Sequence, residues 1–160
     1  MTGRLATLTG DFLAQSPLRH GPFRVFYAGA IAAALGYTMQ TTVAAWLMAT
    51  LTPSAVMVAL VQTPSTAPAL LFGLFAGAMA DIVDRRKVIV ATQVVLVAAS
   101  ALLGVAAIAG WVGPAMLLAM TFVVGAGFAF FQPAQQASVN DLVARAEMPQ
   151  AVSLNAVGFN

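Results

Sequence analysis

Two long stretches of the chain contain no ionisable side chain. No Asp, Glu, Lys, Arg or His lies between Arg24 and Asp81, or between Lys87 and Asp141. Over the whole chain 61% of the residues are hydrophobic and 8% are charged, whereas a soluble domain carries roughly a quarter of its residues as charged side chains. So few charges cannot cover the surface of a water-soluble domain of this length. The composition therefore excludes a soluble domain and predicts a membrane protein.

Each uncharged stretch is long enough for two membrane-spanning helices, because one span needs about 20 apolar residues. Pro and Gly interrupt the stretches near their middles, at Leu51–Ser54 and at Gly110–Pro114, where a helix has to end. The sequence therefore predicts an all-α integral membrane protein with four complete transmembrane helices. The expected helices cover residues 25–50, 55–80, 88–109 and 115–131, and a fifth is expected to start near Pro149. Residues 1–24 are then an amino-terminal segment, and residues 25–160 are a partial transmembrane bundle.

The basic residues predict the orientation of these helices. Every Lys and Arg lies before the first predicted span, in the loop at 81–87, or in the loop at 141–147. These places share one side of the membrane if the number of spans is even, and basic loops stay cytoplasmic. We therefore expect a multi-pass protein of the inner membrane with a cytoplasmic amino terminus. The single histidine, His20, lies before the first span, where we expect it to have no functional role.

The sequence offers little to an enzyme. The predicted spans contain no acid/base pair and no cluster with metal-ligand spacing, and the chain has no cysteine. We therefore predict no catalytic residue, no metal, no cofactor and no enzymatic activity. The net charge of +2 comes from few, clustered groups, which argues against a nucleic-acid partner. The expected partners are the lipid bilayer and a small-molecule substrate.

Uncharged polar side chains in the first two predicted helices are the candidates for binding a solute. They are Gln40 and Thr41 in the first helix and Gln62 in the second. The alternative is that such residues only join helices through hydrogen bonds worth about 0.6 kcal/mol each in a membrane. Pro64 and Pro68 lie on one face of the second helix, and we expect the helix to bend there because Pro64 cannot donate its hydrogen bond.

Small residues predict close contacts between helices at two places. Gly73 and Gly77 are four residues apart in the second helix, and Gly125 and Gly127 lie close together in the fourth; such residues allow helices to approach closely. After Gly77, an acid at Asp81 precedes Arg85 by four residues. If the helix continued past Ala80 this spacing would pair the two side chains, and such a pair could act as a latch between two helix packings.

These residues also carry a resemblance. Gly77, Ala80 and Asp81, followed by Asp84-Arg85-Arg86-Lys87 between the second and third spans, resemble the loop signature of the major facilitator superfamily. Residues 132–143, 151–155 and 158–160 resemble the fourth loop and fifth-helix entrance of the branch that contains enterobactin exporters and macrolide-efflux proteins.

The resemblance implies a twelve-helix fold in which two six-helix halves rock about a central site. The chain would then be an amino-terminal fragment that needs the missing carboxy-terminal half of the same protein. The residues that would form the conformational gate are Gly77, Asp81, Asp84, Arg85 and Arg86.

Two functions remain open at this point. The first is a secondary active transporter that exports a small organic molecule across the inner membrane by alternating access, coupled to an ion. The second is a nontransporting membrane scaffold or subunit formed by a truncated helical bundle. Export as the direction of transport follows from the resemblance.

Overall fold

The structure is a computed structural model that describes residues 17–143 and 147–159, with side chains up to Leu154 except at Asn140. Over these residues it contains helices and turns and no strand. A 3-10 turn at Pro17–Arg19 precedes six α-helices. In chain order they are α1 (Gly21–Leu51), α2 (Ala55–Leu60), α3 (Gln62–Ile82), α4 (Arg85–Ile108), α5 (Pro114–Leu142) and α6 (Met148–Phe159).

Local residues explain where α2 and α4 begin and where α4 ends. The Ser54 hydroxyl accepts a hydrogen bond from the Met57 N–H at 3.4 Å, and the Asp84 carboxylate accepts one from the Arg86 N–H at 3.0 Å; both are N-caps. At the end of α4, Gly110 has φ of 72°, a conformation that favours glycine. The Trp111 N–H then reaches back to the Ala106 carbonyl at 2.9 Å, which is the Schellman arrangement.

Three helical stretches of the described residues are long and apolar enough to cross a membrane. They are Ala55–Ile82, which joins α2 and α3, Arg85–Ile108 and Pro114–Val139. Helix α1 is not among them, because Tyr37 and the run Gln40-Thr41-Thr42 lower the apolar content of its middle. The all-helical membrane character predicted from the sequence is therefore confirmed, and the fourth complete span stays a prediction.

The largest departures from the expected helix boundaries are at the start of α1 and the end of α5. Helix α1 begins at Gly21 rather than at 25, and α5 continues to Leu142 rather than ending at 131. Pro133 lies inside α5, where it cannot donate to the Ala129 carbonyl. The helix nevertheless continues, because residues beyond the proline are buried by neighbours: Ala134 with Ala80 and Val88, and Val139 with Phe23 and Ala151.

The chain forms two compact units. Of the described residues, the first contains 17–34, 137–143 and 147–159, and the second contains 35–136. In the first unit, Phe23, Val139 and Ala151 form a buried cluster. The main cluster of the second unit contains Ala44, Met48, Val61, Leu103, Ala106, Val112 and Leu117.

The second unit exposes large apolar side chains. Leu70, Leu74 and Ile108 are 88%, 86% and 91% exposed. A soluble protein rarely exposes extended apolar surface of this kind. These helix faces are suited to contact with lipid, as the composition predicts.

Candidate functional site

Tyr37 connects three helices of the second unit. Its hydroxyl on α1 donates a hydrogen bond to the Ser65 carbonyl of α3 at 2.9 Å. Its ring stacks on Phe128 of α5, with ring centroids 4.1 Å apart and the ring planes inclined by 7°. The side chain therefore satisfies its polar group and buries its ring at the same time.

The two prolines free backbone carbonyls next to this tyrosine. Pro68 has no N–H to donate to the Pro64 carbonyl, and Pro64 has none for the Leu60 carbonyl. The ladder of helical hydrogen bonds is interrupted at Val61, between α2 and α3, although the Val61 backbone keeps helical angles, with φ of −60° and ψ of −29°. The expected bend of the helix stays a prediction. The Ser65 hydroxyl donates to the Val61 carbonyl at 3.0 Å.

Gly125 brings α5 against these carbonyls. A Cβ atom at Gly125 would lie 2.7 Å from the Pro64 carbonyl oxygen and 2.9 Å from that of Ser65, closer than a side chain can approach. Glycine is therefore required here. A Cβ atom at Gly127 would meet a milder contact, 3.3 Å from the Leu96 side chain. The predicted close packing at Gly125 and Gly127 is confirmed.

The glycine pair of α3, Gly73 and Gly77, has different surroundings from the pair in α5. A Cβ atom at Gly73 or Gly77 would meet no atom within 4 Å. No described residue packs closely against α3 at these two glycines, so the expected helix contact there stays a prediction. The spacing of small residues shows which helix face can be approached, and it does not say which helix approaches it.

Gln40 is the predicted cavity residue with unusual surroundings. Its amide nitrogen and oxygen are both buried, and neither has a hydrogen-bond partner among the described residues. It follows Tyr37 by three residues, on the same face of α1. A buried amide without partners costs about 1–3 kcal/mol for each unsatisfied group, so this side chain offers one donor and one acceptor to any group that reaches it. We call Tyr37, Gln40 and Ser65 the polar centre of the second unit.

The other two predicted cavity residues lie in ordinary surroundings. The Thr41 hydroxyl donates to the Thr38 carbonyl of its own helix at 2.9 Å. Gln62 is exposed at the start of α3, where its backbone carbonyl accepts from the Thr66 hydroxyl at 2.9 Å. Of the three candidates, only Gln40 thus has a buried and unsatisfied side-chain amide.

The predicted gate residues lie where α3 ends and α4 begins. Asp81 is exposed in the last turn of α3, and Arg86 is exposed in the first turn of α4. Asp84 is the N-cap of α4, as described above. The Arg85 Nε donates to the Ala80 carbonyl at 3.4 Å, so this arginine reaches back to the carboxyl end of α3, where a cation is favoured.

The condition for a helical pairing of Asp81 with Arg85 is not met. Helix α3 ends at Ile82, and Val83 is extended, with φ of −96° and ψ of 149°. The two residues therefore belong to different helices, as the predicted break between the second and third spans requires, and are not separated by one helical turn.

His20 has a neighbour that the sequence did not indicate. Its Nε2 lies 3.3 Å from the Glu147 Oε2, and the neighbouring Arg19 Nη2 lies 2.9 Å from the Glu147 Oε1. These contacts are within the first unit. Glu147 is distant in the sequence and only folding brings it near; that His20 has no functional role stays a prediction.

The surface of the second unit also contains apolar grooves. One, of about 770 Å³, is lined by residues such as Phe75, Ile82 and Phe130. Another, of about 480 Å³, passes Phe72 and Thr92. Within residues 17–143 and 147–159 no group of three or more His, Asp or Glu side chains could hold a metal ion.

Comparison with known proteins gives one match. The profile of a family described as transmembrane secretion effector matches residues 13–160. This range includes the polar centre, the α3–α4 connection, and the contacts of Arg19 and His20 with Glu147. No curated protein and no solved structure matches the chain.

Proposed function

The chain belongs to the family of transmembrane secretion effectors, transporters of the major facilitator type, and from this we propose that it is a secondary active transporter. It exports a small organic molecule across the inner membrane by alternating access, driven by an ion gradient. The family match over residues 13–160 carries this proposal. The chain contributes to the amino-terminal six-helix bundle of a twelve-helix fold.

The polar centre is the proposed place of substrate contact. Gln40 presents a buried donor and acceptor without partners among the described residues, inside a stretch of chain that has no Asp, Glu, Lys, Arg or His. A solute with hydrogen-bonding groups that reached this point would satisfy both. Thr41 and Gln62 are proposed as further wall residues in a form that opens toward the solute.

The interruption at Val61 is the proposed point at which α3 changes its position. Pro64 and Pro68 already remove two backbone hydrogen bonds from this part of the helix. A change in the direction of the helix axis there therefore breaks few additional hydrogen bonds. Gly125 itself has no side chain where it meets the Pro64 and Ser65 carbonyls and the Pro68 ring. We propose that α5 can slide along α3 at this point.

The α3–α4 connection is the proposed gate. Asp81 and Arg86 are both exposed, and the side of Gly77 is open to an approaching helix. The other half of the transporter would contact these residues when the cytoplasmic side closes. Asp84 and Arg85 shape the connection through the N-cap and the contact with the Ala80 carbonyl.

Helix α1 is proposed as the fourth complete span. Its residues Ala44 and Met48 are buried in one cluster with Leu103 of α4 and Leu117 of α5, and both of these helices are apolar enough to cross a membrane. An even number of spans and the positions of the basic residues then give a cytoplasmic amino terminus.

The proposed function can be tested with the intact protein in liposomes. The probe is ethidium, a small amphiphilic cation, and the driving force is an imposed proton gradient. We expect ethidium movement that depends on the protein and disappears when a protonophore dissipates the gradient. Equal movement in liposomes with and without the protein would contradict the proposal, and a protein that inserts correctly without moving solute would favour a scaffold.

A further inference from the structure

Glu147 is a buried acid in the first unit. The residue is 7% exposed, and Glu is almost never buried without a partner. Its Oε1 accepts a hydrogen bond from the Arg19 Nη2 at 2.9 Å, whereas its Oε2 lies 3.3 Å from the His20 Nε2 and has no hydrogen-bond partner among the described residues. Both contacts come from the short segment that leads into α1.

Each side of this contact is attached directly to the start of a helix. The Glu147 carbonyl accepts hydrogen bonds from the N–H groups of Gln150 and Ala151, at 3.2 and 3.0 Å, in the first turn of α6. The His20 carbonyl accepts one from the Arg24 N–H, at 3.0 Å, in the first turn of α1. A carboxylate is favoured near helix starts, which carry partial positive charge. Glu147 therefore links the two starts through both its backbone and its side chain.

The contact between α1 and α6 continues beyond the charged residues. Phe23 and Ala151 are buried in one cluster, with Leu154 packed against it. One turn after Phe23, the Tyr27 hydroxyl donates to the Leu154 carbonyl at 2.7 Å. Apolar packing alone could slide, but these directional contacts fix the two helices in register.

We propose that the Arg19–Glu147 ion pair, with His20 beside it, is an electrostatic clamp that holds the starts of α1 and α6 together as one element. If the helix starts separated, the 7% exposed carboxylate would lose the Arg19 cation, and breaking a buried charge pair by removing one partner is strongly unfavourable. The clamp therefore makes separation of these two helix starts a costly motion, whereas the interruption at Val61 has no such constraint. This inference does not depend on the transport function.

The distance between two spin labels tests the clamp. The chain has no cysteine, so labels can be placed specifically with Val25→Cys and Val152→Cys, at positions that are 73% and 56% exposed. In the intact protein we expect one narrow distance distribution by pulsed electron paramagnetic resonance, both in detergent and in liposomes. Glu147→Gln, made in this labelled background, should broaden the distribution or add a second population.

Matched variants separate charge from packing. Arg24→Gln removes an exposed cation from the first turn of α1 that forms no ion pair with Glu147 among the described residues, and it should leave the distribution narrow. The exchange Arg19→Glu with Glu147→Arg should restore a narrow distribution. If Glu147→Gln fails to fold, Arg19→Gln tests the same contact from its 57% exposed side and should broaden the distribution as well.

Three results would overturn the clamp. They are two populations in the protein that carries only the labels, a narrow distribution in Arg19→Gln, and a broad distribution in the charge-exchanged protein. Because none of these measurements requires transport, a failed clamp and a failed transport proposal give different results.

Discussion

The Tyr37 hydroxyl donates a hydrogen bond to the Ser65 carbonyl at 2.9 Å. This bond joins α1 to the part of α3 in which Pro64 and Pro68 leave carbonyls without their usual helical donors. Tyr37 thus connects α1, whose middle is polar, to α3, in which two prolines reduce the number of backbone hydrogen bonds. The buried amide of Gln40 lies on the same face of α1 as Tyr37, so α1 and α3 together carry the polar centre.

Tyr37→Phe should remove the hydrogen bond and keep the ring stacked on Phe128. We expect a loss of about 0.5–1.5 kcal/mol in the free energy of unfolding, because that is the usual net value of one hydrogen bond. Thermal unfolding in detergent measures it. Tyr37→Leu also loses the ring and should be less stable than Tyr37→Phe; equal stability of all three proteins would contradict the contact.

Gly125→Ala should destabilise the second unit by about 1–3 kcal/mol, the usual cost of forcing extra volume into a packed region. The added Cβ would lie 2.7 Å from a backbone oxygen, which cannot move aside as a flexible side chain can. Gly73→Ala is the matched control, since a Cβ there meets nothing within 4 Å. Similar unfolding temperatures for the two variants would show that α5 does not approach α3 at Gly125.

The two acids of the α3–α4 connection should respond differently to substitution. Asp84→Ala removes an N-cap and should cost about 0.5–2 kcal/mol of stability, measured by thermal unfolding. Asp81→Asn keeps the size of an exposed side chain, so stability and membrane insertion should be unchanged while ethidium transport falls. Normal transport by Asp81→Asn would remove this residue from the gate.

The positions of the two tryptophans predict the depth of the protein in the membrane. The chain contains two, Trp46 and Trp111, and they are 69% and 77% exposed near the end of α1 and after the end of α4. Tryptophan prefers the membrane–water interface. Phospholipids brominated near the headgroup should therefore quench the fluorescence more strongly than lipids brominated at the chain ends, and the reverse order would contradict the predicted spans.

The sequence predicts the helices better than it predicts their neighbours. The uncharged stretches and the breaks at Leu51–Ser54 and Gly110–Pro114 mark where helices start and stop, because charge and backbone chemistry are local properties. The end of α5 was missed because Ala134 and Val139 are buried by residues distant in the chain, which outweighs the effect of Pro133.

The same difference between local properties and long-range contacts applies to the candidate site. Gln40 could be singled out as a polar residue in an apolar helix, but its missing partners become visible only in the folded structure. The contact of Arg19 with Glu147 joins residues 128 positions apart, and no local pattern indicates it. Gly77 and Gly125 have similar sequence surroundings, and only one of them has a neighbouring helix in the described residues.

Gln40→Met tests whether the Gln40 amide contacts the substrate, because stability and transport should then change in opposite directions. Methionine has a similar volume and needs no hydrogen bonds, so removing an unsatisfied buried amide should raise the free energy of unfolding by about 1 kcal/mol. Thr42→Val, at an exposed position on the same helix, is the control and should change transport little.

The measurement is ethidium transport in liposomes beside thermal unfolding in detergent, for the intact protein and both variants. We expect Gln40→Met to unfold at a higher temperature and to transport ethidium about tenfold more slowly. A tenfold decrease corresponds to the loss of about 1.4 kcal/mol of substrate contact. A Gln40→Met protein that transports normally, or that is less stable than the parent, would contradict the assignment of Gln40 as an amide kept for its substrate.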